Sequence, residues 1–422
     1  MKNYCFWYGE SKASDLEWLG TAIRLLKENE WNGQTTLFFD GRSWGERLRE
    51  EAAIGLLQAL QTNTSAKSLY LRRADLDVKA ETALNHVFEN NRHLERIVLR
   101  NIETTAGVLR IPEGMFQNSS LKELEVTKGF LGSASLAALS ASLLSNSLNH
   151  VSLDNVVLDG CLDELANAIE KSKSLSHFSL KNMRLSQAGL KLLLEAIGKN
   201  QSIRSLSLES LNLGTSEIDM LATMFKMNSH LENVSLRRNV IDGKAAGVLF
   251  RDVSTFHQSL RSLLLSGNPL GDEGARAITT FLKSNTSLET LCLVDCRLGK
   301  VGCRRIAEGL KAMDGIRELY LDSNETKSSA SQILDSLRKG NYSLTEISQR
   351  SLTPTYGRHT DVSRQTAIWQ QIEMYLRWNK LGRKVLREEH LDFLLSNVLN
   401  RVNSDPDLIY SFLKESSAII SN

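Results

Sequence analysis

The chain has 422 residues, 41% of them hydrophobic and 24% charged, with only four prolines. This is the composition of a folded protein, and it excludes long proline-rich low-complexity segments. A formal net charge of +2 singles out neither nucleic acid nor a membrane surface as partner, and no apolar run reaches the roughly 18 residues that a membrane-spanning helix needs.

The first residues, MKNYCFWYGE, carry Lys2 but no continuous apolar stretch, so they do not read as a secretory signal. The expected location is cytoplasmic, with the nucleus as an alternative. Residues 1–33 read as a helical N-terminal cap. There Asp15 is placed to cap a helix whose apolar stripe is Leu16, Leu19, Ile23 and Leu26, with Trp18 on its flank.

From residue 34 to about 350 the sequence repeats itself. The pattern L-x-x-L-x-L recurs as LNHVSL, LSHFSL, IRSLSL, LENVSL, LRSLLL and LETLCL. Its first position falls at Leu94, Leu121, Leu148, Leu175, Ile203, Leu231, Leu260, Leu288, Ile316 and Leu344, in steps of 27 to 29 residues. Ala66 opens an earlier copy, and the TTLFF segment around Leu37 reads as a degenerate first one, giving about 11 repeats. The second half of each copy has helical periodicity. Ala275, Ile278 and Leu282 share one face, and the same slots hold Cys303, Ile306 and Leu310; Ile218, Leu221 and Phe225; and Leu190, Leu193 and Ile197.

Each unit is therefore a strand, a turn, a helix and a turn, and it cannot bury its apolar face without a neighbour. Strands stack at about 4.8 Å and helices no closer than about 8–10 Å, which forces curvature. The expected fold is α/β: a right-handed horseshoe solenoid with a parallel sheet on the concave face and helices on the convex face.

Residues 351–422 leave the repeat period. SLTPTYGRHTDVS is turn-rich and reads as a linker. Ile368, Ile372, Tyr375 and Leu376 then mark an amphipathic helix ending near Asn379 and Gly382. A second helix is expected through Leu391, Leu394, Leu395, Val398 and Leu399, and a short third one after Pro406. Together these form a helical C-terminal extension.

The segment LSGNPLGDEGARAITTFLKSNTSLETLCLVDCRLGKVGCRRIAEGLKAM resembles the ribonuclease-inhibitor-like leucine-rich repeats in its 28-residue length and its helical second half. The resemblance covers roughly residues 34–350. It implies the fold firmly and function loosely, because inhibitors, GTPase-activating proteins, actin-capping proteins and innate-immune receptors all carry such repeats. The ninth repeat position in that family holds Asn or Cys, which satisfies backbone groups of the turn. Asn239, Asn268, Cys296 and Asn324 fit; Ala74, Ile102, Gly129, Val156, Met183 and Leu211 do not, so the earlier turns must be satisfied by other means. IEMYLRWNKLGR followed by SNVLNRVNSDPDLIYSFLKE resembles the C-terminal extension of leucine-rich-repeat proteins of diatoms and related algae, which implies no catalytic residues.

Catalytic and cofactor motifs are absent from the sequence. Lys199, Lys244 and Lys300 follow glycine without the Ser or Thr of a phosphate-binding loop, and there is no H-E-x-x-H, paired C-x-x-C or G-x-S-x-G. No enzyme, cofactor, metal or small-molecule substrate is expected. Five cysteines, without paired spacing, argue against a disulfide framework; repeat phase puts Cys292, Cys296 and Cys303 on a strand, in a turn and on a helix. His150 and His177 share the third position of adjacent repeats and read as surface neighbours rather than a metal pair.

Function is expected on the inner sheet face, at the third, fifth, seventh and eighth repeat positions. The N-terminal copies place Tyr70, Arg72, Arg73, Arg96, Val98 and Arg100 there, a basic patch with one tyrosine. The middle copies give Ser152, Ser179, Ser207 and Ser235. The C-terminal copies give Leu264, Cys292, Val294, Glu318, Tyr320 and Asp322, apolar with an acidic edge. Such a face suits a protein partner, and the residues expected to bind it are Tyr70, Arg72, Arg73, Arg96, Arg100, Leu264, Val294, Tyr320 and Asp322. A regulator of small GTPases resembling the Ran GTPase-activating proteins, without their acidic tail, and a nucleic-acid binder using Arg72, Arg73, Arg96 and Arg100 are the alternatives. Arg377, Lys380, Arg383, Lys384 and Arg387 read as cations placed near a helix C-terminus.

Overall fold

The computed structural model describes residues 12–30, 36–40, 46–145, 147–253, 259–313, 315–325, 329–348 and 361–380. It divides into two compact units, Met1–Leu211 with Thr223–Leu231, and Asn212–Ala222 with Glu232–Asn422.

In the first unit the strands are β1 (Thr36–Asp40), β2 (Ser68–Arg72), β3 (Asp75–Leu76), β4 (Arg96–Arg100), β5 (Glu103–Thr104), β6 (Gly107–Val108), β7 (Glu123–Leu131), β8 (His150–Leu158), β9 (His177–Lys181) and β10 (Ser205–Glu209). The sheet runs β1-β2-β4-β7-β8-β9-β10 with every pairing described parallel, and β3, β5 and β6 form a small sheet of their own. Leu37 thus lies on a true strand, in register with Leu69. In the second unit, β11 (Asn233–Ser235), β12 (Ser262–Leu264), β13 (Thr290–Cys292), β14 (Glu318–Tyr320) and β15 (Glu346–Ile347) pair in parallel in that order. The alternation of a parallel strand with a helix is that of a leucine-rich-repeat solenoid.

The helical slots read from the sequence are filled as expected: Leu190, Leu193, Ile197, Ile218, Leu221, Phe225, Ala275, Ile278, Leu282, Cys303, Ile306 and Leu310 are all buried. Asp77, Ser186 and Asp242 accept hydrogen bonds from the third residue after them and so cap their helices. The N-terminal helix spans Lys12–Lys27, so it begins before Asp15, a residue the apolar stripe could not resolve because the pattern marks a face and not an end.

The turns behave as the ninth position dictates. Asn324 donates to the carbonyls of Leu293 and Leu321 and accepts from the amides of Cys296 and Leu298 at 2.7–3.1 Å, and Asn268, two repeats earlier, donates to the carbonyls of Leu236 and Leu265 and accepts from the amide of Ile241. Strands β11 to β14, followed at the ninth position by Asn239, Asn268, Cys296 and Asn324, are each three residues long. Where Gly129 and Val156 stand instead, the backbone goes on pairing. β7 and β8 therefore run for nine residues, with Leu131 in register with Leu158.

Two further columns accompany the strands. Three residues before the first leucine of a repeat stands a buried asparagine: Asn63, Asn91, Asn118, Asn200, Asn228, Asn285 and Asn341. Asn91, Asn200, Asn228 and Asn341 each donate to two carbonyls of the preceding repeat. The C-terminal helix, Asp361–Lys380, joins this ladder although its sequence leaves the repeat period. Asn379 donates to the carbonyls of Leu344 and Asn341, and Ile372, Tyr375, Leu376 and Trp378 are buried. The second and third tail helices, and Arg383, Lys384 and Arg387, lie outside the described residues.

The eighth position is the other column. In ten successive repeats it takes a left-handed backbone, with φ between 50° and 75°: Arg73, Asn101, Lys128, Asn155, Asn182, Ser210, Arg238, Gly267, Asp295 and Ser323. Glycine and asparagine take this conformation readily. Glycine has no Cβ, and asparagine offsets the strain by bonding its own backbone; in other residues the Cβ lies against the following carbonyl, at a cost of about 1–2 kcal/mol.

Candidate functional site

Strand register turns the repeat positions into rows across the first unit. The third-position row runs Ser68, Arg96, Glu123, His150, His177, Ser205; the fifth runs Tyr70, Val98, Glu125, Ser152, Ser179, Ser207; the seventh runs Arg72, Arg100, Thr127, Asp154, Lys181, Glu209. Five of the proposed binding residues are therefore neighbours on β2 and β4 or just beyond β2. The Arg73 amide donates to the carbonyl of Arg100 at 2.8 Å.

The basic patch is not free charge. Arg96 and Arg100 reach the two oxygens of one carboxylate, Glu125, at 2.7 and 2.8 Å, and Arg96 Nε lies 3.1 Å from Glu123. The Glu125 side chain is 15% exposed. Burial raises its pKa, but hydrogen bonds from Arg100 and Arg96 outweigh that and hold it below the ordinary value. Arg100 also lies over the Tyr70 ring at 5.5 Å. Arg72 is half-exposed and stands in register with Asp40 on one side and Arg100 on the other. Glu123 and Glu125 were missed in the sequence because each repeat was read for its own charge. Aligning their positions with Arg96 and Arg100 of the repeat before would have revealed both pairs.

Three residues read as inner-face side chains are instead buried: Val98, Ser235 and Cys292 are 1%, 7% and 6% exposed. Val98 lies in the fifth-position row between Tyr70 and Glu125, where two large neighbours shield a small one. His150 and His177 are stacked with ring centroids 5.3 Å apart, and His177 Nδ1 meets Ser176 Oγ at 2.8 Å. Burial lowers the His150 pKa against the attraction of Glu125 and Glu123, with His177 and Arg96 adding to the lowering. Among the described residues no group of three or more His, Cys, Asp or Glu is placed to hold a metal ion. Cys292, Cys296 and Cys303 occupy a strand, a turn and a helix as expected, and burial pushes the Cys296 and Cys303 thiols up to about 12.

In the second unit the fifth-position row is Ser235, Leu264, Cys292, Tyr320. Leu264, Val294, Tyr320 and Asp322 are half-exposed. The Tyr320 hydroxyl lies 3.3 Å from Glu318 and 3.1 Å from Glu346, and Thr290 donates to Glu318 at 3.1 Å. Burial and these carboxylates raise the Tyr320 pKa, so it stays a hydrogen-bond donor.

The family model described as Leucine Rich repeat matches residues 256–278. The chain is similar to a mouse ribonuclease inhibitor, 26% identical over 300 residues covering 69% of this chain and 59% of that one. It is also similar to the pig ribonuclease inhibitor, 26% identical and covering 81% and 70%. A mouse NACHT, LRR and PYD domains-containing protein is 27% identical over 49% of this chain and 18% of its own length. The chain thus spans well under the full length of the mouse proteins it matches.

Proposed function

We propose that this chain, a leucine-rich-repeat protein of the ribonuclease-inhibitor-like kind, is a non-enzymatic scaffold that binds a protein partner on the open face of its parallel sheet. The observation that carries this reading is the row of interlocked side chains on β2, β4 and β7. Tyr70, Arg100, Glu125 and Arg96 hold one another in place, so a partner would meet groups already ordered, and less side-chain entropy is lost on binding. Tyrosine and arginine are also the residues that most often dominate interface energy. Two relatives are inhibitors by name, which supports a binding role over a catalytic one. The pairing of Arg96 and Arg100 with Glu125 argues against nucleic acid, since phosphate would have to displace a carboxylate that both already hold.

A photo-crosslinking residue placed at Ser152 or Ser207 on the sheet, and separately at Lys191 on a helix, tests the reading in native lysate. Adducts to one defined protein from the sheet positions, lost in the Arg72→Glu/Arg100→Glu/Tyr320→Ala variant, are expected. Adducts formed from Lys191 alone would overturn it.

A further inference from the structure

The open face of the second unit carries its charge differently from that of the first. In the first unit opposite charges meet on neighbouring strands, as Arg96 and Arg100 do with Glu125, and Lys181 with Glu209. In the second they stand apart. Arg237 and Arg238 follow β11, and Arg237 Nε is buried without a hydrogen-bond partner. The Arg238 amide donates to the Ser266 carbonyl and the Gly267 amide to the Val294 carbonyl, so the next repeat sets a serine and a glycine beside the two arginines. A Cβ on Gly267 would lie 3.3 Å from Arg238 Cγ.

At the other end of the unit, Glu318 on β14 stands in register with Glu346 on β15. The donors that reach these carboxylates are hydroxyls, Tyr320 for both and Thr290 for Glu318. Arg261 and Arg317 are turned to Glu289, at 2.6 and 3.8 Å. Like charges on adjacent strands oppose each other, so this edge gains from an added cation. Between the two ends lie Leu264 and Val294, both half-exposed.

Resting on the sheet-binding reading above, we propose that this face receives a short helix of the protein partner. Its first turn is acidic over Arg237 and Arg238, its middle apolar over Leu264 and Val294, and its last turn basic over Glu318 and Glu346. Three to four strand steps separate the two ends. At about 4.8 Å a step, a helix rising about 1.5 Å per residue spans them in about 10–13 residues. That charge order itself favours a helix, because acidic residues suit its N-terminus and basic ones its C-terminus. Nucleic acid fits less well, since phosphates drawn to Arg237 would be carried on over Asp322, Glu318 and Glu346.

The test uses the full chain and three fluorescein-labelled peptides of one leucine–alanine centre, followed by anisotropy. The first begins with two glutamates and ends with two lysines, the second has glutamates at both ends, and the third lysines at both. Wild type is expected to bind the first about fivefold more tightly than either of the others, with an affinity that falls as salt rises. Arg237→Glu/Arg238→Glu makes both ends of the face acidic and should transfer the preference to the third peptide, a gain that a misfolded chain would not show. No binding of the first peptide by the wild type, equal binding of all three, an unshifted preference in the variant, or tighter binding of a uridine 20-mer RNA would each overturn the proposal. Failure here is separable from failure of the sheet reading. If the Ser152 and Ser207 adducts persist in Arg237→Glu/Arg238→Glu, the sheet still binds and only the helix inference falls.

Discussion

Asn200 ties one repeat to the next through both ends of its amide. It is 1% exposed. Its amide donates to the carbonyls of Ile169 and Ser172 at 2.7 and 2.8 Å, and its oxygen accepts from the amides of Ser202 and Ile203 at 2.8 Å each. Asn200→Ala would strand the Ile169 carbonyl and the amides of Ser202 and Ile203, while the Ser172 carbonyl keeps the Ser202 hydroxyl. A buried backbone group left without its partner costs about 1 kcal/mol or more, so a loss of about 3–4 kcal/mol is expected. Urea unfolding followed by far-ultraviolet circular dichroism reads the total. Amide hydrogen exchange should show the damage centred on Ser202 and Ile203. Asn200→Asp keeps the accepting oxygen but turns a second oxygen toward two carbonyls, and it should lose at least as much. A loss below about 1 kcal/mol for the alanine variant would mean that water or a neighbour satisfies these groups, and the ladder would then not be what locks one repeat to the next.

Other expectations follow from the charged rows and the thiols. Glu125→Ala leaves Arg96 and Arg100 without their shared carboxylate and should cost about 2 kcal/mol in the same unfolding assay. Because the folded Glu125 pKa lies below its ordinary 4.5, its contribution is present above that pH and is lost as pH falls through the folded value; the wild-type advantage over Glu125→Ala should vanish in acid. His150 has the opposite charge but the same direction. Its folded pKa is below 6.5, so the unfolded chain takes up the proton first and stability is lost as pH falls below about 6.5. His150→Gln should flatten that part of a Tm-against-pH curve. On brief maleimide treatment Cys161, which is exposed, should label, while Cys296 and Cys303 should stay protected until urea unfolds the chain, as peptide mass spectrometry would show. Rapid labelling of Cys303 in native buffer would contradict its burial.

Much of the fold was legible because apolar residues recur with two periods, and each period marks a face that must be covered. Leu206 and Leu208, buried on β10, and Leu190, Leu193 and Ile197, buried on the helix before it, needed no structure to be placed. What the pattern could not give were features that depend on polar satisfaction or on backbone angle. Asn63 to Asn341 stand three residues before the first leucine position in seven repeats, with Ser145, Ser172 and Met313 there in others, and their bonds to the preceding repeat emerge only once the repeats are stacked. Asn379 belongs with them, yet it is 38 residues from Asn341, too far for a 28-residue period to claim.

The candidate site was legible to the same extent and failed for the same reason. Tyr70, Arg96 and Arg100 were found by phase within their own repeats, but the charge of a sheet face is a property of neighbouring repeats. Glu125, standing one strand over, turns two of four expected cations into fixed parts of an ordered surface. The left-handed φ of the eighth position, 51° at Arg73 and 60° at Lys128, is shared down the whole column. A horizontal reading along the chain finds what each repeat must bury. The charge of the sheet face is written vertically, across strands about 4.8 Å apart, and aligning repeats column by column before assigning charge recovers the Glu125 pairing from sequence alone, while the left-handed eighth position still requires the backbone.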